Sequence, residues 1–497
     1  MEWLISLRDV VSFGVLVYAV LGVLVGMFIG MMPGLTSTMA IAILTPLTFW
    51  LEPTRGFAML IGVYNSALFA GGISAIVINT PGTPASIATS FDGYGMTKRG
   101  RASLALSLNT ICSVIGGILS TLLLIVAAFP LANFVLKFGP SEFFWLALFG
   151  LIMMVSVSQG SMIKGLLLGS LGLLLSTIGL DPMLSSQRFT FNNINLMDGV
   201  SFIPVMIGIF GVGEMAYQIF TWKHIKEENT EDEVIKGSGS MFPTAKELKR
   251  ITPPTFISAL IGIIIGAIPG AGGDIASIVS WDVSKKLSKH PEEFGNGSIE
   301  GVAGTCSANN ASIGGALTTA LTLGVPGDSN TAVLLGTLMM YGMVPGPTLF
   351  SGNGQFVRNL MLLMIVANIL ILIIGLLMVK VSVKILNVRK EAIWMAVFIL
   401  CCVGSYALNK NFFDVLVMFV SGILGFFFRK MDFPLGPFIL GLLLGNLCET
   451  NMRRALTLSQ GSYMIFVRNP ISVVLICLII LSLFFPLIQK RIKAARS

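Results

Sequence analysis

Apolar stretches long enough to enter or cross a bilayer recur from one end of this chain to the other, and that feature fixes its class before any other. A spanning helix needs roughly 20 mostly apolar residues, because in hydrocarbon every backbone N–H and C=O must find a partner inside its own segment. Candidate spans lie at 11–31, 57–78, 104–129, 143–158, 162–180, 200–221, 255–268, 310–324, 331–343, 359–380, 391–408, 411–428, 434–447 and 470–487. Several are too short to cross alone. The expected architecture is an all-α polytopic membrane protein with about 10–12 transmembrane helices plus re-entrant hairpins. With 54% hydrophobic and only 11% charged residues, the composition is foreign to soluble globular domains. The first apolar segment lacks a small-x-small cleavage site and reads as a retained span.

The net charge of +8 raises nucleic acid as a partner, but the basic residues fall in short loops and the tail. They are Lys98, Arg99 and Arg101; Lys285, Lys286 and Lys289; Arg429 and Lys430; and Lys490, Arg491, Lys493 and Arg496. Membrane topology explains that distribution, places the C-terminus in the cytoplasm and leaves no call for nucleic acid. The six cysteines form no CxxC and lie mostly in apolar segments, as packing residues do. Two histidines, His224 and His290, are too few for a His-metal site. No cofactor is expected.

A polar stretch at 222–252, with mixed charges around a Gly-Ser-Gly-Ser centre, reads as a solvated linker between residues 1–221 and 253–497. The sequence on its two sides is self-similar. "GMFIGMMPG" at 26–34 pairs with "GIIIGAIPG" at 262–270, "AGGISAIVINTPGTPASIA" at 70–88 with "IGGALTTALTLGVPGDSNTAV" at 313–333, and "YGM" occurs at 94–96 and 341–343. Three blocks in one order argue for an internal duplication. Gly/Pro-interrupted apolar segments at equivalent places in two repeats are the sequence pointer to a secondary transporter's binding site, and that precedent favours inverted repeats.

The interruptions have their own chemistry. Pro81 and Pro84 remove backbone donors and disfavour helix in the residues before them, while Gly82 permits a positive φ, so the helix stops and the chain turns. Two half-helices are then expected to meet at mid-membrane. The segment from Ala85 offers free N–H groups and a positive dipole end, with Asn79, Thr80 and Thr83 adding polar side chains, an arrangement suited to an anion. The second copy repeats it with Gly324, Pro326, Gly327, Asp328, Ser329, Asn330 and Thr331. There Asp328 either caps the following half-helix or coordinates a cation. "GMMPGLTST" and "GAIPGAGGDIAS" form a second pair, bearing Thr36, Ser37 and Thr38 in one copy and Asp274 and Ser277 in the other, for which close helix packing is the alternative. Asn309 and Asn310 are either an N-cap or oxygen ligands for Na⁺. Asp92 reads as a turn former. Glu300, Glu449, Arg453 and Arg454 read as solvated or interfacial, with a substrate role for Arg453 or Arg454 left open.

Taken together, "GMMPGLTSTMAIAILTPLTF", "GGISAIVINTPGTPASIATSFDGYGM", "IGAIPGAGGDIASIVSWD", "KHPEEFGNGSIEGVAG", "ANNASIGGALTTALTLGVPGDSNTAVLLGTLMMYGMVPGP" and "RRALTLSQGSYMIFVRNPIS" resemble the large membrane subunit of the tripartite tricarboxylate transporter family. The resemblance implies a bacterial inner-membrane permease that works with a small membrane subunit of about four helices and a periplasmic substrate-binding protein. It also implies import of a small di- or tricarboxylate coupled to Na⁺ or H⁺, without an ATPase, and the chain has no GxxxxGK[ST] loop. Carried over by motif, the pocket is Asn79, Thr80, Pro81, Gly82 and Thr83 facing Gly324, Pro326, Gly327, Asp328 and Ser329. Asn309, Asn310, Thr331 and Asp328 are the cation candidates. The chain departs from the family pattern at Thr305 and Cys306, where relatives commonly carry Pro-Glu. A passive anion channel is the rival reading. An intramembrane enzyme finds no HExxH, GxSxG or paired-Asp motif to support it.

Overall fold

The computed structural model describes residues 2–32, 34–157, 161–181, 183–225, 240–379 and 390–494. Pro33 of the first Gly/Pro block, residues 226–239 of the polar linker and the side chains of the C-terminal basic cluster lie outside the described residues.

In chain order the main helices are α1 Phe13–Met31, α2 Ser37–Thr48, α3 Pro53–Ile78, α4 Ile87–Lys98, α5 Ala102–Val135, α6 Pro140–Val157, α7 Met162–Ser176 and α8 Gly213–Ile225, the last entered through a π-helical stretch at Ile207–Val212. They continue with α9 Ala245–Gly266, α10 Gly272–Leu287, α11 Ile299–Leu323, α12 Ser329–Met340, α13 Gly354–Met378, α14 Lys390–Asn409, α15 Phe412–Lys430, α16 Leu435–Leu458 and α17 Pro470–Ala494. Strand structure among the described residues is limited to a two-residue pair, Gly179–Leu180 against Gln187–Arg188. Among the described residues seven helices are long and apolar enough to cross a membrane, and shorter apolar helices such as α2, α7 and α12 pack among them. The chain is an all-α polytopic membrane protein.

Small residues set the helix contacts, as lipid-embedded packing demands. A Cβ on Gly22, Gly26 or Gly30 of α1 would lie 2.1, 2.6 and 2.3 Å from the carbonyl oxygens of Met59, Val63 and Ala67 of α3. Both numbers rise by four, so α1 and α3 run in the same direction, their backbones nearly touching. On α9, Gly262 and Gly266 meet the carbonyls of Ala308 and Ser312 of α11 in the same way, at 2.4 and 2.2 Å. The two pairs run in opposite senses. Phe57 stacks on Phe356 and Phe69 sits against Gly375, so α13 runs with α3. Gly117 meets Asn368 while Thr110 meets Gly375, so α5 runs against α13, and Gly116 on Ser307 with Gly314 on Ser120 sets α5 alongside α11.

The breaks behave differently from expectation. After α1 the chain turns and α2 returns to the end it came from, its Thr48 beside Gly56 at the start of α3. The helical hairpins are therefore α1–α2 and, in the second half, α9–α10. The 79–84 and 324–331 segments are interruptions within a crossing. Thr83 lies against Gly71, and Gly93 and Thr97 lie against Ile76, so α4 continues in the direction of α3. Between them the chain steps back from Ile78 to the level of Gly71, about 10 Å along the helix. The physical cause is the left-handed Asn79 (φ 53°), which ends α3, with an extended Thr83 just before the next helical turn. Gly324 (φ 71°) does the same after α11.

Candidate functional site

Stepping back frees the start of each new helix to pair with the other half of the chain. The N-terminus of α2 meets that of α12, where the Ser37 and Thr38 hydroxyls donate to Asn330 Oδ1 at 2.9 and 2.8 Å. Further along, Thr45 meets Thr337 at 3.0 Å, and the Tyr341 hydroxyl donates to the Thr48 carbonyl. In the other pair, α10 runs beside α4. Gly273 packs on Ala85, Trp281 stacks edge-on against Phe91, and Trp281 Nε1 donates to Asp92 Oδ2 at 2.7 Å.

Four helix N-termini thus open on one cavity of about 620 Å³. Thr36–Thr38, Thr83–Ala85, Gly270–Ile275 and Asp328–Asn330 line it, and Leu435 and Gly436 bring the first turn of α16 to the same place. Each N-terminus carries partial positive charge and leaves backbone N–H groups without intrahelical partners. Three of them are capped by side chains: Thr36 accepts from the Met39 N–H, Thr83 and Ser86 form a capping box, and Asp328 accepts from the Thr331 N–H. The N-cap of α10, Ala271, has no side chain that can cap the helix.

Of the residues expected in the pocket, Thr83, Asp328 and Ser329 line the cavity. Asn79 and Thr80 are exposed and do not line it, Asn79 serving as the α3 C-cap. Pro81, Gly82, Gly324, Pro326 and Gly327 build the turns. Gly82 is not in the left-handed region; the positive φ expected there belongs to Asn79. Gly82 is required by contact, since a Cβ would sit 2.0 Å from the Gly30 carbonyl oxygen. Gly327 is matched against the Gly266 carbonyl at 2.5 Å.

Asp328 is saturated. Its Oδ1 accepts the Thr331 N–H and hydroxyl at 2.8 and 2.7 Å, and its Oδ2 accepts the Tyr64 hydroxyl at 2.6 Å and Asn330 Nδ2 at 3.2 Å. It caps α12, and Thr331 is part of that cap. Asn309 and Asn310 are not N-caps but lie buried midway along α11. Asn309 Nδ2 donates to the Leu68 carbonyl at 3.2 Å while its Oδ1 has no partner, and neither polar atom of the Asn310 side chain has one.

Sequence reasoning missed Arg429, assigned there to a loop. It occupies the last turn of α15 and reaches the cavity, ion-paired with the buried Glu214 of α8 and lying over the Tyr217 ring at 5.7 Å. The signal was present in "GIFGVGEMAYQIF", since a carboxylate inside an apolar run demands a partner. Asp92 is no turn former. It lies buried within α4 and accepts the N–H groups of Gly295, Gly297 and Ser298 at 2.8 to 3.0 Å, locking α4 to the loop before α11. Arg453 is committed to Asp181 and Glu449, away from the cavity, and Glu300 is buried against Arg250 and Ser288.

The family described as "Tripartite tricarboxylate transporter TctA family" matches residues 16–440. The "Uncharacterized 52.8 kDa protein in TAR-I ttuC' 3'region" of Agrobacterium vitis is 38% identical over 457 residues, covering 92% of this chain and 90% of that protein. The "Uncharacterized protein in TAR-II ttuC' 3'region" of the same organism is 38% identical over 211 residues, covering 42% of this chain and 87% of that protein. No solved structure matches.

Proposed function

Because the chain belongs to the tripartite tricarboxylate transporter TctA family, and so is a component of a membrane transporter, we propose that a small di- or tricarboxylate crosses the bilayer through the cavity between its four helix N-termini. The observation that carries this reading is the convergence itself. Free N–H groups at the starts of α2, α4, α10 and α12 hold negative charge at the broken points of the helices, and Arg429 supplies a planar, two-pronged contact for one carboxylate.

The two halves are inverted copies. α1 to α5 in one half correspond to α9 to α13 in the other, run in opposite senses, and meet through α2 with α12 and α4 with α10. Alternating access follows from moving this paired core against the helices that close the cavity from the other side, among them α8, α15 and α16. The bundle end that gathers Lys98, Arg99, Arg101, Lys246, Lys249, Lys285 and Lys286 is the cytoplasmic face under the positive-inside rule, in a bacterial inner membrane. A cation, Na⁺ or H⁺, drives uptake. A periplasmic binding protein delivers the carboxylate, and a small membrane subunit of about four helices completes the assembly.

The test is uptake of a panel of labelled di- and tricarboxylates into proteoliposomes containing the chain with those two partners. Saturable uptake that stops when the cation gradient is collapsed supports the reading. Flux that rises linearly with carboxylate concentration and ignores the gradient replaces it with a passive anion channel.

A further inference from the structure

The two mirrored halves of the cavity are not chemically equal, and the difference points to a second ligand. At the α2–α12 junction every acceptor has a proton donor. Ser37 and Thr38 hydroxyls serve Asn330 Oδ1, and the Tyr64 hydroxyl serves Asp328. At the α4–α10 junction Asp274 stands where Thr38 does, in the register that pairs Gly26 with Gly262, and Asn309 stands where Tyr64 does, since Gly26 meets Val63 as Gly262 meets Ala308. Both donors have become acceptors.

Among the described residues no other residue donates to either acceptor. The Asp274 side chain lines the cavity, half-buried, with no ion pair and no hydrogen bond from another residue among the described residues. Asn309 is 3% exposed, and its Oδ1 is without a partner. Its orientation is fixed, because Nδ2 must be the atom that donates to the Leu68 carbonyl, which leaves Oδ1 pointing at the first turn of α10. That oxygen lies 2.6 Å, and Ser312 Oγ 3.0 Å, from where a Cβ on Gly273 would be, one residue from Asp274. A buried amide oxygen left unpaired calls for an explanation, and an unpaired carboxylate inside a membrane protein calls for a counter-charge.

We infer that Asp274 and Asn309 Oδ1, with Ser312 Oγ beside them, form a Na⁺ site at the first turn of α10. The donor set is all oxygen with one formal negative charge, which suits a hard monovalent ion. Without a Cβ at Gly273, the helix start and the Asn309 oxygen come close enough to share the ion. The site deepens the transport reading by naming where the driving cation sits, next to the carboxylate cavity, so that each ligand neutralises the other's charge.

The experiment is Na⁺ binding to the purified chain with no carboxylate and no transport. Melting temperature and ²²Na⁺ binding are measured while Na⁺ replaces choline at constant ionic strength, with K⁺ as the comparison ion. The wild type is expected to show a saturable Na⁺-specific rise in melting temperature. Asn309→Ala is expected to weaken half-saturation at least tenfold and Asp274→Asn to abolish it, whereas Asn309→Asp restores binding. Asp282→Asn, an exposed carboxylate further along α10 and outside the cavity, is expected to leave it unchanged. Equal responses to Na⁺, K⁺ and choline, or unaltered Na⁺ affinity in the folded Asn309→Ala and Asp274→Asn variants, overturn the assignment. Na⁺ binding as described alongside absence of carboxylate uptake overturns the transport reading instead.

Discussion

Replacing Gly82 with alanine isolates one contact on which the cavity depends. Gly82 has no left-handed φ, so alanine suffers no conformational penalty there, and any loss comes from the added methyl. That methyl would lie 2.0 Å from the Gly30 carbonyl oxygen, 2.8 Å from Ser74 Oγ and 3.0 Å from Gly71 Cα. An ordinary carbon contact is about 3.5 Å or more, so the turn must move by about 1.5 Å, and the carbonyl cannot rotate away because it belongs to the close-packed α1–α3 pair. Overpacking of this kind costs about 1–3 kcal/mol, and a backbone-on-backbone clash belongs at the upper end. Since about 1.4 kcal/mol is tenfold, the arrangement that brings Thr83 and Ala85 to the cavity is penalised on the order of 100-fold. Carboxylate affinity, measured as the half-saturation of uptake or by direct binding, is expected to fall by that factor while the protein remains in the membrane. Gly327→Ala, whose methyl meets the Gly266 carbonyl at 2.5 Å and Ala316 Cα at 2.6 Å, is expected to behave alike. Gly352→Ala, with nothing within 4 Å, is the neutral control. Wild-type affinity in both the Gly82 and Gly327 variants would refute the claim that the turns position the site.

Other outcomes follow from the same structure. Asn79→Gly is expected to leave uptake and melting temperature unchanged, because residue 79 only caps α3 in the left-handed region, while Asn79→Val costs about 1–2 kcal/mol in a melt. Arg429→Met strands the Glu214 carboxylate and is expected to cost about 3–5 kcal/mol of stability. Adding Glu214→Gln recovers the melting temperature but not carboxylate binding, which separates Arg429's two roles. The Arg250 guanidinium, hydrogen-bonded to Glu293 at 2.6 Å, holds that carboxyl below its ordinary value. With the folded value depressed, its stabilisation is fully present above the unfolded glutamate value of about 4.3 and fades as pH falls through the lowered one. Arg250→Gln is therefore expected to flatten the melting curve's pH dependence below about pH 4.3.

The class of fold was legible because lipid imposes it: apolar length and self-contained hydrogen bonding leave few alternatives. The Gly/Pro blocks also announced where helices break, since proline and glycine act locally. What they did not announce was direction. Whether the chain turns back or steps back and goes on depends on Asn79 and Gly324 taking left-handed backbone and on which helix the next segment finds beside it, and that neighbour comes from the other half. For the same reason Asn79 and Thr80, polar and next to the prolines, read as pocket residues yet lie outside the cavity lining. Arg429 was hidden for the opposite reason. It looks like an ordinary charge at a helix end until Glu214, more than 200 residues earlier, is placed against it.

The pairing of α2 with α12 and of α4 with α10 has a cost during synthesis. Ser37 and Thr38 leave the ribosome long before Asn330 exists, 293 and 292 residues later, and Asp92 precedes its Trp281 and Gly295 partners by 189 and 203 residues. Until then the first half holds interrupted helices in lipid with exposed polar ends. A nascent chain of this design has to be sheltered at the insertion machinery, or by a neighbouring protein, until its own second half arrives to complete it.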